Sequence, residues 1–234
     1  LRGRPPDLPT QQAAAAVGQT VLMWRSQTSL DRFGVLAGQV LLTAGDLENS
    51  TPRSNARRAM ERLLGLRILP IVNENDTVAT HEIRFGDNDR LAALVAELIG
   101  ADALVLLSDI ENLYTRPPGQ PGARPIERVA YGDDLSGYEF GSVVVNSVGT
   151  GGAATKVSAA RLASAAGVGV LVSSAARVSD ALGGAAVGTW FEPDPRATPS
   201  MPTGPVRTAS TGAALPARAA DAPADGVQRV DTLG

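Results

Sequence analysis

The stretch Ile68-Leu69-Pro70-Ile71-Val72-Asn73-Glu74-Asn75-Asp76 decides the fold. Its first five residues form a compact apolar run, which is typical of a strand buried on both faces of a parallel sheet. Four polar side chains follow at once, so the strand is predicted to open into a loop at its carboxyl end. Because ligands of doubly wound α/β sheets bind at the carboxyl ends of strands, the segments that follow strands are where a site is expected.

Strands and helices alternate on both sides of this stretch. Further apolar runs predict strands at Val35–Thr43, Ala103–Leu107 and Val168–Val172. Helical patterns run from Thr10 towards Trp24 and over Asp46–Leu64, Asp89–Ile99 and Thr155–Ala166. The alternation predicts an α/β fold, a doubly wound, mostly parallel sheet with helices on both faces. The proline-rich segment Tyr114–Arg128 is predicted to be a surface excursion, and both tryptophans, Trp24 and Trp190, to be packing residues.

Composition excludes several classes of site. The chain has 234 residues, of which 44% are hydrophobic, so a globular core is expected. Without cysteine there are no disulfides, thiolate nucleophiles or thiolate metal sites, and the single histidine, His81, excludes a multi-histidine metal centre. The net charge of -3 gives no general attraction to nucleic acid or to an anionic membrane, and no apolar run approaches the length of a membrane span. A cytoplasmic protein is expected.

Three polar clusters follow predicted strands or precede a helix. Asn73–Thr80 offers amides and carboxylates that could bind the ammonium and carboxylate of an amino acid or the shell of Mg²⁺; the alternative is a polar turn. Phe85–Asp89 adds a glycine and an asparagine, although Asn88 or Asp89 could simply cap the helix. Ser108-Asp109 suits a nucleotide or its metal, or an ordinary turn. The first two clusters, Asn73–Thr80 and Phe85–Asp89, lie about a dozen residues apart, which favours one shared pocket.

Lys156 is the only lysine in a chain whose lysines and arginines number 21. It ends the glycine-rich run Gly149-Thr150-Gly151-Gly152-Ala153-Ala154-Thr155-Lys156, where backbone N–H groups and a helix N-terminus favour phosphate. The run is neither a Walker A loop nor a dinucleotide fingerprint, because the spacing differs from both. The alternative is a surface lysine without a special role.

Taken together, these segments resemble the glutamate 5-kinase family, which has the amino-acid kinase fold. The resemblance rests on six segments whose order and spacing agree over about Leu8 to Phe191. They are Ala16–Gln19, Gly38–Thr43, Val72–Asp76, Gly86–Asp89, Leu107–Asp109 with Leu113–Thr115, and Gly149–Gly152 through Thr155–Lys156. Any one of them is a weak signal, whereas the joint match is specific.

The resemblance implies phosphorylation of L-glutamate by ATP, with Mg²⁺, to L-glutamyl 5-phosphate in proline biosynthesis. It assigns glutamate binding to Asp76 and Asn88, with Asn73 and Asn75 beside them. It assigns ATP binding to Ser108, Asp109, Thr150, Gly151, Gly152, Ala153, Ala154, Thr155 and Lys156. Lys156 would also be the catalytic residue, neutralising charge on the transferring phosphoryl group. Homo-oligomers are implied as well.

The chain also departs from the family pattern. Two segments of the family, a first strand with a lysine-glycine loop and a second strand leading to a glutamate-binding loop, have no counterpart, so we expect residues 1–191 to be a kinase domain lacking its N-terminal strands. Residues 192–234 are rich in Pro, Ala, Thr and Gly and are expected to be a disordered tail. The competing hypothesis is a catalytically impaired remnant that only binds glutamate, nucleotide or a partner subunit. Lys156→Arg is expected to cut turnover with little change in stability.

Overall fold

A computed structural model describes residues 7–78, 88–140 and 152–197. Its helices are α1 (Leu8–Asp31), α2 (Ala44–Glu48), α3 (Ser50–Gly65), α4 (Asn88–Ile99), α5 (Ala153–Ala165) and α6 (Val178–Leu182). Its strands are β1 (Leu36–Leu42), β2 (Ile68–Glu74), β3 (Ala103–Ser108), β4 (Leu113–Tyr114), β5 (Pro125–Ile126), β6 (Arg128–Val129), β7 (Gly169–Ser174) and β8 (Thr189–Phe191). The four strands predicted from apolar runs are confirmed to within two residues at each end.

The strands form mostly parallel sheets. β1 and β2 pair in parallel over their whole length, with Leu36 opposite Ile68 and Leu42 opposite Glu74. A second sheet has the order β3-β7-β8-β6, in which β3 and β7 are parallel and β8 is antiparallel to β7. The short strands β4 and β5 pair within the proline-rich excursion. The predicted fold class, mostly parallel strands with packed helices, is confirmed.

Helices cover both faces of the β1–β2 pair because the side chains of each strand alternate between faces. Val40 and Leu42 pack into a core with Met60 of α3 and with α4. Gln39 and Leu41 face the opposite way, towards α1. Gly38 permits close packing of α3, since a Cβ at this position would lie 3.0 Å from Leu63 Cδ2.

Helix α4 joins the two cores. Its leucines, Leu91, Leu94 and Leu98, belong to the core under β1 and β2. Its alanines, Ala93 and Ala96, belong to the core under β3 and β7, which α5 completes. Small residues at a helix–helix contact allow a close approach, so α4 and α5 pack side by side and bring their N-terminal turns together. This packing positions Asp89 and Lys156.

Two helix predictions need correction. The helix predicted over Asp46–Leu64 is two helices, α2 and α3, because the backbone of Asn49 between them is extended. Thr43 and Asp46 form a capping box that starts α2 two residues earlier than predicted. Leu64, in the last turns of α3, is 48% exposed. The first helix begins at Leu8, where the Asp7 side chain accepts a hydrogen bond from the Thr10 N–H, and it continues to Asp31. Trp24, predicted to be a packing residue, is 67% exposed on this helix.

Hydrogen bonds cross the predicted boundary after Phe191. The Glu192 N–H donates to the Val129 carbonyl, and the Asp194 N–H donates to the Ser164 carbonyl at 2.8 Å. Residues 192–197 therefore pack on the folded body, whereas residues 198–234 lie outside the described residues. Their assignment to a tail stays a prediction. In the described part of the chain, no helix is long and apolar enough to cross a membrane.

Candidate functional site

The polar loop after β2 forms one wall of a narrow cleft. The Asn75 N–H donates to the Leu42 carbonyl at 2.8 Å, which holds the start of the loop against the end of β1. The cleft, about 170 Å³, runs between this loop and α1 and is lined by Ala16, Gln19, Gln39, Leu41, Asn75 and Asp76 among others. Drug-sized ligands occupy pockets of roughly 300–1,000 Å³, so this cleft suits a ligand as small as an amino acid.

Negative charge in this region has no described cation to balance it. Glu74 is 7% exposed, and its Oε1 atom has no hydrogen-bond partner among the described residues. Burial, together with the charges of Asp76 and Asp46, raises the pKa of Glu74. Burial also raises the pKa of Asp76. A cationic group entering the cleft would relieve this cost.

Asn73 points from β2 towards α1 and not into the cleft. Its Nδ2 donates to Gln19 Oε1 at 2.9 Å, across 54 residues of sequence. Gln19 itself lines the cleft. Of the four predicted glutamate-binding residues, the structure thus places Asn75 and Asp76 in the cleft wall and Asn73 behind Gln19.

The second cluster lies where α4 and α5 begin. Lys156 Nζ is 2.9 Å from Asp89 Oδ2, and the two side chains are only 10% and 15% exposed. Thr155 Oγ1 donates to the same carboxylate oxygen at 3.3 Å and to the Gly152 carbonyl at 2.8 Å. Because Lys156 is buried, the alternative of a surface lysine is wrong. Asn88, the fourth predicted glutamate ligand, is exposed at the start of α4, next to Asp89 in sequence.

A third polar cluster lies at the carboxyl ends of the paired strands β3 and β7. Ser108 Oγ donates to Asp109 Oδ1 at 3.1 Å, and Asp109 is exposed. In the paired strand, Ser174 lies opposite Ser108, and Ser173 opposite Leu107. The hydroxyls of Ser173 and Ser174 are buried without a hydrogen-bond partner among the described residues. Both lie at the carboxyl end of a parallel pair, which is the ligand-binding edge of such sheets.

Part of the predicted phosphate run cannot be placed. Thr150 and Gly151 lie outside the described residues, as do Gly86, Asp87 and His81. Gly152 is the N-cap of α5, without a side-chain cap, and Ala153, Ala154 and Thr155 form the first turn. The N–H groups of that turn are the kind of donors that bind phosphate.

Sequence reasoning left three residues out of the site. The sequence pattern predicts Asp89 only as a helix cap, although a carboxylate in the first turn of an amphipathic helix can equally pair with a cation. Glu74 stood inside the polar cluster without a role, and its burial follows from pairing with Leu42, which no local pattern shows. Gln19 is on a different helix, and its contact with Asn73 is long-range, so only the structure identifies it.

A larger cleft, about 680 Å³, lies elsewhere, over Leu171 and Trp190. It contains none of the predicted site residues. Its two arginines are already engaged, Arg128 with Glu192 and Arg177 with Asp180. We therefore place the site at the strand ends and not in this cleft. Within the described ranges, no group of three or more His, Asp or Glu side chains could hold a metal ion.

Comparison with known proteins decides the family. Residues 4–174 match the amino acid kinase family. This chain belongs to the amino acid kinase family, among its glutamate 5-kinases. It is 70% identical over 193 residues to the glutamate 5-kinase of Clavibacter sepedonicus, covering 82% of this chain and 74% of that protein. It is 67% identical to the glutamate 5-kinase of Leifsonia xyli subsp. xyli, covering 82% and 72%.

Solved structures show the same fold at low identity. Giardia carbamate kinase is 18% identical with a TM-score of 0.54, covering 83% of this chain and 77% of that one. Isopentenyl phosphate kinase from T. acidophilum is 15% identical with a TM-score of 0.52, covering 81% and 74%. The amino acid kinase fold expected from the sequence is confirmed.

Proposed function

We propose that this chain is a glutamate 5-kinase, which transfers the terminal phosphoryl group of ATP to the side-chain carboxylate of L-glutamate in proline biosynthesis. The observation that carries the reaction is the 70% identity to a glutamate 5-kinase over 193 residues. The acceptor carboxylate is already ionised at neutral pH and needs no strong base. Positioning and charge neutralisation therefore supply most of the catalysis.

The small cleft beside β2 binds glutamate in this proposal. Asp76 and the buried Glu74 together supply negative charge, and the α-ammonium of glutamate is the cation that balances it. Asn75 lines the same wall. Asn88, at the start of α4, would bind the substrate from the side of the phosphoryl donor.

The N-terminus of α5 binds the phosphates of ATP in this proposal. Its first turn, Ala153 to Thr155 after Gly152, supplies N–H groups, and the helix dipole favours the negative charge. Lys156 neutralises charge on the phosphoryl group in transit. Asp89 holds the Lys156 ammonium at 2.9 Å and so fixes the place from which it acts.

Mg²⁺ fits the donor set at the end of β3. Mg²⁺ in kinases is bound through one or two carboxylates plus the phosphates of the substrate, so a three-residue protein cluster is not required. Asp109 is exposed and its Oδ1 accepts from Ser108, which leaves the other carboxylate oxygen for the ion. The ion would neutralise the phosphate oxygens of ATP. Thr150 and Gly151 are proposed to complete the nucleotide site.

Helix α1 supports a homo-oligomer. Val17, Val21 and Trp24 lie on one face at helical spacing and are 69%, 48% and 67% exposed. From Leu8 to Trp24 the helix carries no charged side chain. An uncharged face of this kind is typical of a subunit contact. We also propose a cytoplasmic enzyme. The net charge of -3 supports the absence of nucleic-acid partners.

The test is glutamate-dependent formation of an acyl phosphate. The chain, MgATP and L-glutamate are incubated with hydroxylamine, which traps glutamyl phosphate as a coloured hydroxamate, while ADP is measured in parallel. We expect equal amounts of ADP and hydroxamate with L-glutamate, and neither with L-aspartate. Calorimetric binding of glutamate or ATP without any hydroxamate would contradict the proposal and favour the impaired remnant.

A further inference from the structure

Gln19 belongs to the wall of the proposed glutamate cleft, although it lies on α1 and every residue assigned to that site lies elsewhere in the fold. It stands on α1, facing the loop that carries Asn75 and Asp76. The side chain is half-buried, and its Oε1 accepts the hydrogen bond from Asn73 Nδ2 at 2.9 Å. This bond fixes the orientation of the Gln19 carboxamide, because the oxygen end is held by β2.

The other end of the same carboxamide is unsatisfied. Gln19 Nε2 is buried and has no hydrogen-bond partner among the described residues. A buried donor without an acceptor costs its full desolvation free energy, so such atoms need an explanation. The bond to Asn73 does not provide one, since it uses only the oxygen end of the carboxamide. A hydrogen-bond acceptor that a ligand brings into the cleft would explain the unsatisfied Nε2 atom.

The chemistry of the cleft identifies that acceptor. Asp76 and Glu74 make the loop side suitable for an ammonium group. In an α-amino acid, the ammonium and the α-carboxylate are attached to the same carbon atom. A ligand whose ammonium faces Asp76 therefore carries its α-carboxylate within the same narrow cleft, where a neutral amide donor is needed and a further carboxylate would repel it.

We propose that Gln19 is a specificity-determining residue of the amino-acid cleft: Asn73 holds its carboxamide through Oε1, and its Nε2 donates to the α-carboxylate of bound glutamate. Asn73 then acts through Gln19, as a positioning residue. The inference rests on the proposed function and adds to it the residue that recognises the amino-acid end of the substrate.

Gln27 provides the matched control. It lies on the same helix, and its carboxamide also links α1 to the sheet, with Nε2 donating to the Val35 carbonyl at 3.1 Å and Oε1 accepting from the Ala37 N–H at 2.8 Å. Both ends of this amide are satisfied within the protein. Gln27→Leu should therefore lower the urea midpoint of unfolding and leave the KM for glutamate within twofold of the wild type.

The experiment measures the KM for glutamate, the KM for ATP and kcat in the hydroxamate assay, with urea unfolding of each variant. Gln19→Leu should raise the KM for glutamate by about 10- to 100-fold, the range expected when a hydrogen bond to a charged group is lost, with the KM for ATP unchanged. Asn73→Ala should raise it too, but should add little in the Gln19→Leu background. Gln19→Glu should raise the KM at least as much as Gln19→Leu.

Three results would overturn the inference. A Gln19→Leu variant that loses stability without a change in the KM for glutamate would make Gln19 a structural residue like Gln27. Additive effects of Gln19→Leu and Asn73→Ala would separate the two residues. A normal KM in Gln19→Glu would show that only the bond to Asn73 matters. Absence of hydroxamate with the wild-type chain is a different result, which overturns the proposed function and the inference together.

Discussion

Two regions balance their charges in opposite ways. One is the proposed glutamate cleft, lined by Gln19, Asn75 and Asp76 beside the buried Glu74. The other is the lysine cluster, formed by Lys156, Asp89 and Thr155. In the cleft, Glu74 and Asp76 have raised pKa values, and Glu74 Oε1 and Gln19 Nε2 are buried without partners among the described residues. In the lysine cluster, Lys156 and Asp89 are buried together at 2.9 Å, and neither charge is left alone.

This difference separates the two tasks of a kinase site. In the proposed function, the cleft contains disfavoured negative charge that a substrate ammonium group would balance. In the lysine cluster, Asp89 already balances the Lys156 ammonium, which we propose acts on the phosphoryl group from this fixed position. A cation fixed in advance stabilises charge that develops in the transition state without reorganisation.

The largest expected effect comes from changing the lysine. Lys156→Arg replaces a compact ammonium in an 8% exposed position with a larger planar guanidinium. We expect kcat to fall by about 10²–10³-fold, the usual cost of losing a group that stabilises the transition state. The burial also changes the expectation from sequence that stability is unaffected, since overpacking a buried site costs about 1–3 kcal/mol.

ADP release and urea unfolding of the same preparation check both effects. A Lys156→Arg variant with near wild-type turnover would show that Lys156 has only a structural role, stabilising the packing of α5 on α4. A variant with low turnover and unchanged stability would contradict the tight environment of the side chain.

Asp89→Asn should have the next largest effect. It keeps the shape of the side chain but leaves the buried ammonium of Lys156 without its counter-charge. We expect kcat to fall by about 10²-fold, because a small displacement of a positioned group has this cost, and the protein to be less stable. The double variant with Lys156→Met should recover stability, measured by urea unfolding, but not turnover. Full activity of Asp89→Asn would remove Asp89 from the site.

The lysine cluster also shows which features of the site can be predicted from the sequence. The isolated Lys156 and the glycine-rich run predict a special site, because both are local in the chain. The partner does not follow from local pattern, since Asp89 is 67 residues away and meets Lys156 only because alanines let α4 and α5 approach closely. Similarly, the apolar runs predict the strands well, whereas the break at Asn49 is one extended residue inside a continuous helical pattern.

On the other side of the comparison, Glu74→Gln should make the protein more stable at neutral pH. The pKa of Glu74 is raised in the folded protein, so between the ordinary glutamate pKa and the raised value the folded chain binds more protons than the unfolded chain. The free energy of unfolding therefore falls as the pH rises through this window. The variant lacks this decline and should gain on the order of 1 kcal/mol at pH 7, because its neutral amide is less costly to bury than an unpaired charge.

Urea unfolding between pH 4 and pH 8 measures the change, and the KM for glutamate should rise in parallel because negative charge facing the substrate ammonium is lost. Lower stability at pH 7 would mean that Glu74 has a stabilising partner in solution. The cleft would then be balanced in the same way as the lysine cluster, and the contrast between them would be lost.

The smallest expected effect comes from breaking an exposed ion pair that lies outside both regions, Arg90–Glu48. Arg90 and Glu48 also form an ion pair that links α4 to another helix, and its length of 2.8 Å matches the Lys156–Asp89 pair. These side chains are 58% and 57% exposed, so water screens their attraction and solvates each charge when the other is removed. Arg90→Ala should cost no more than about 1 kcal/mol in urea unfolding and should leave kcat unchanged. Because the two pairs have similar length and different burial, a loss of stability in Arg90→Ala as large as that in Asp89→Asn would show that burial is not what distinguishes the lysine cluster.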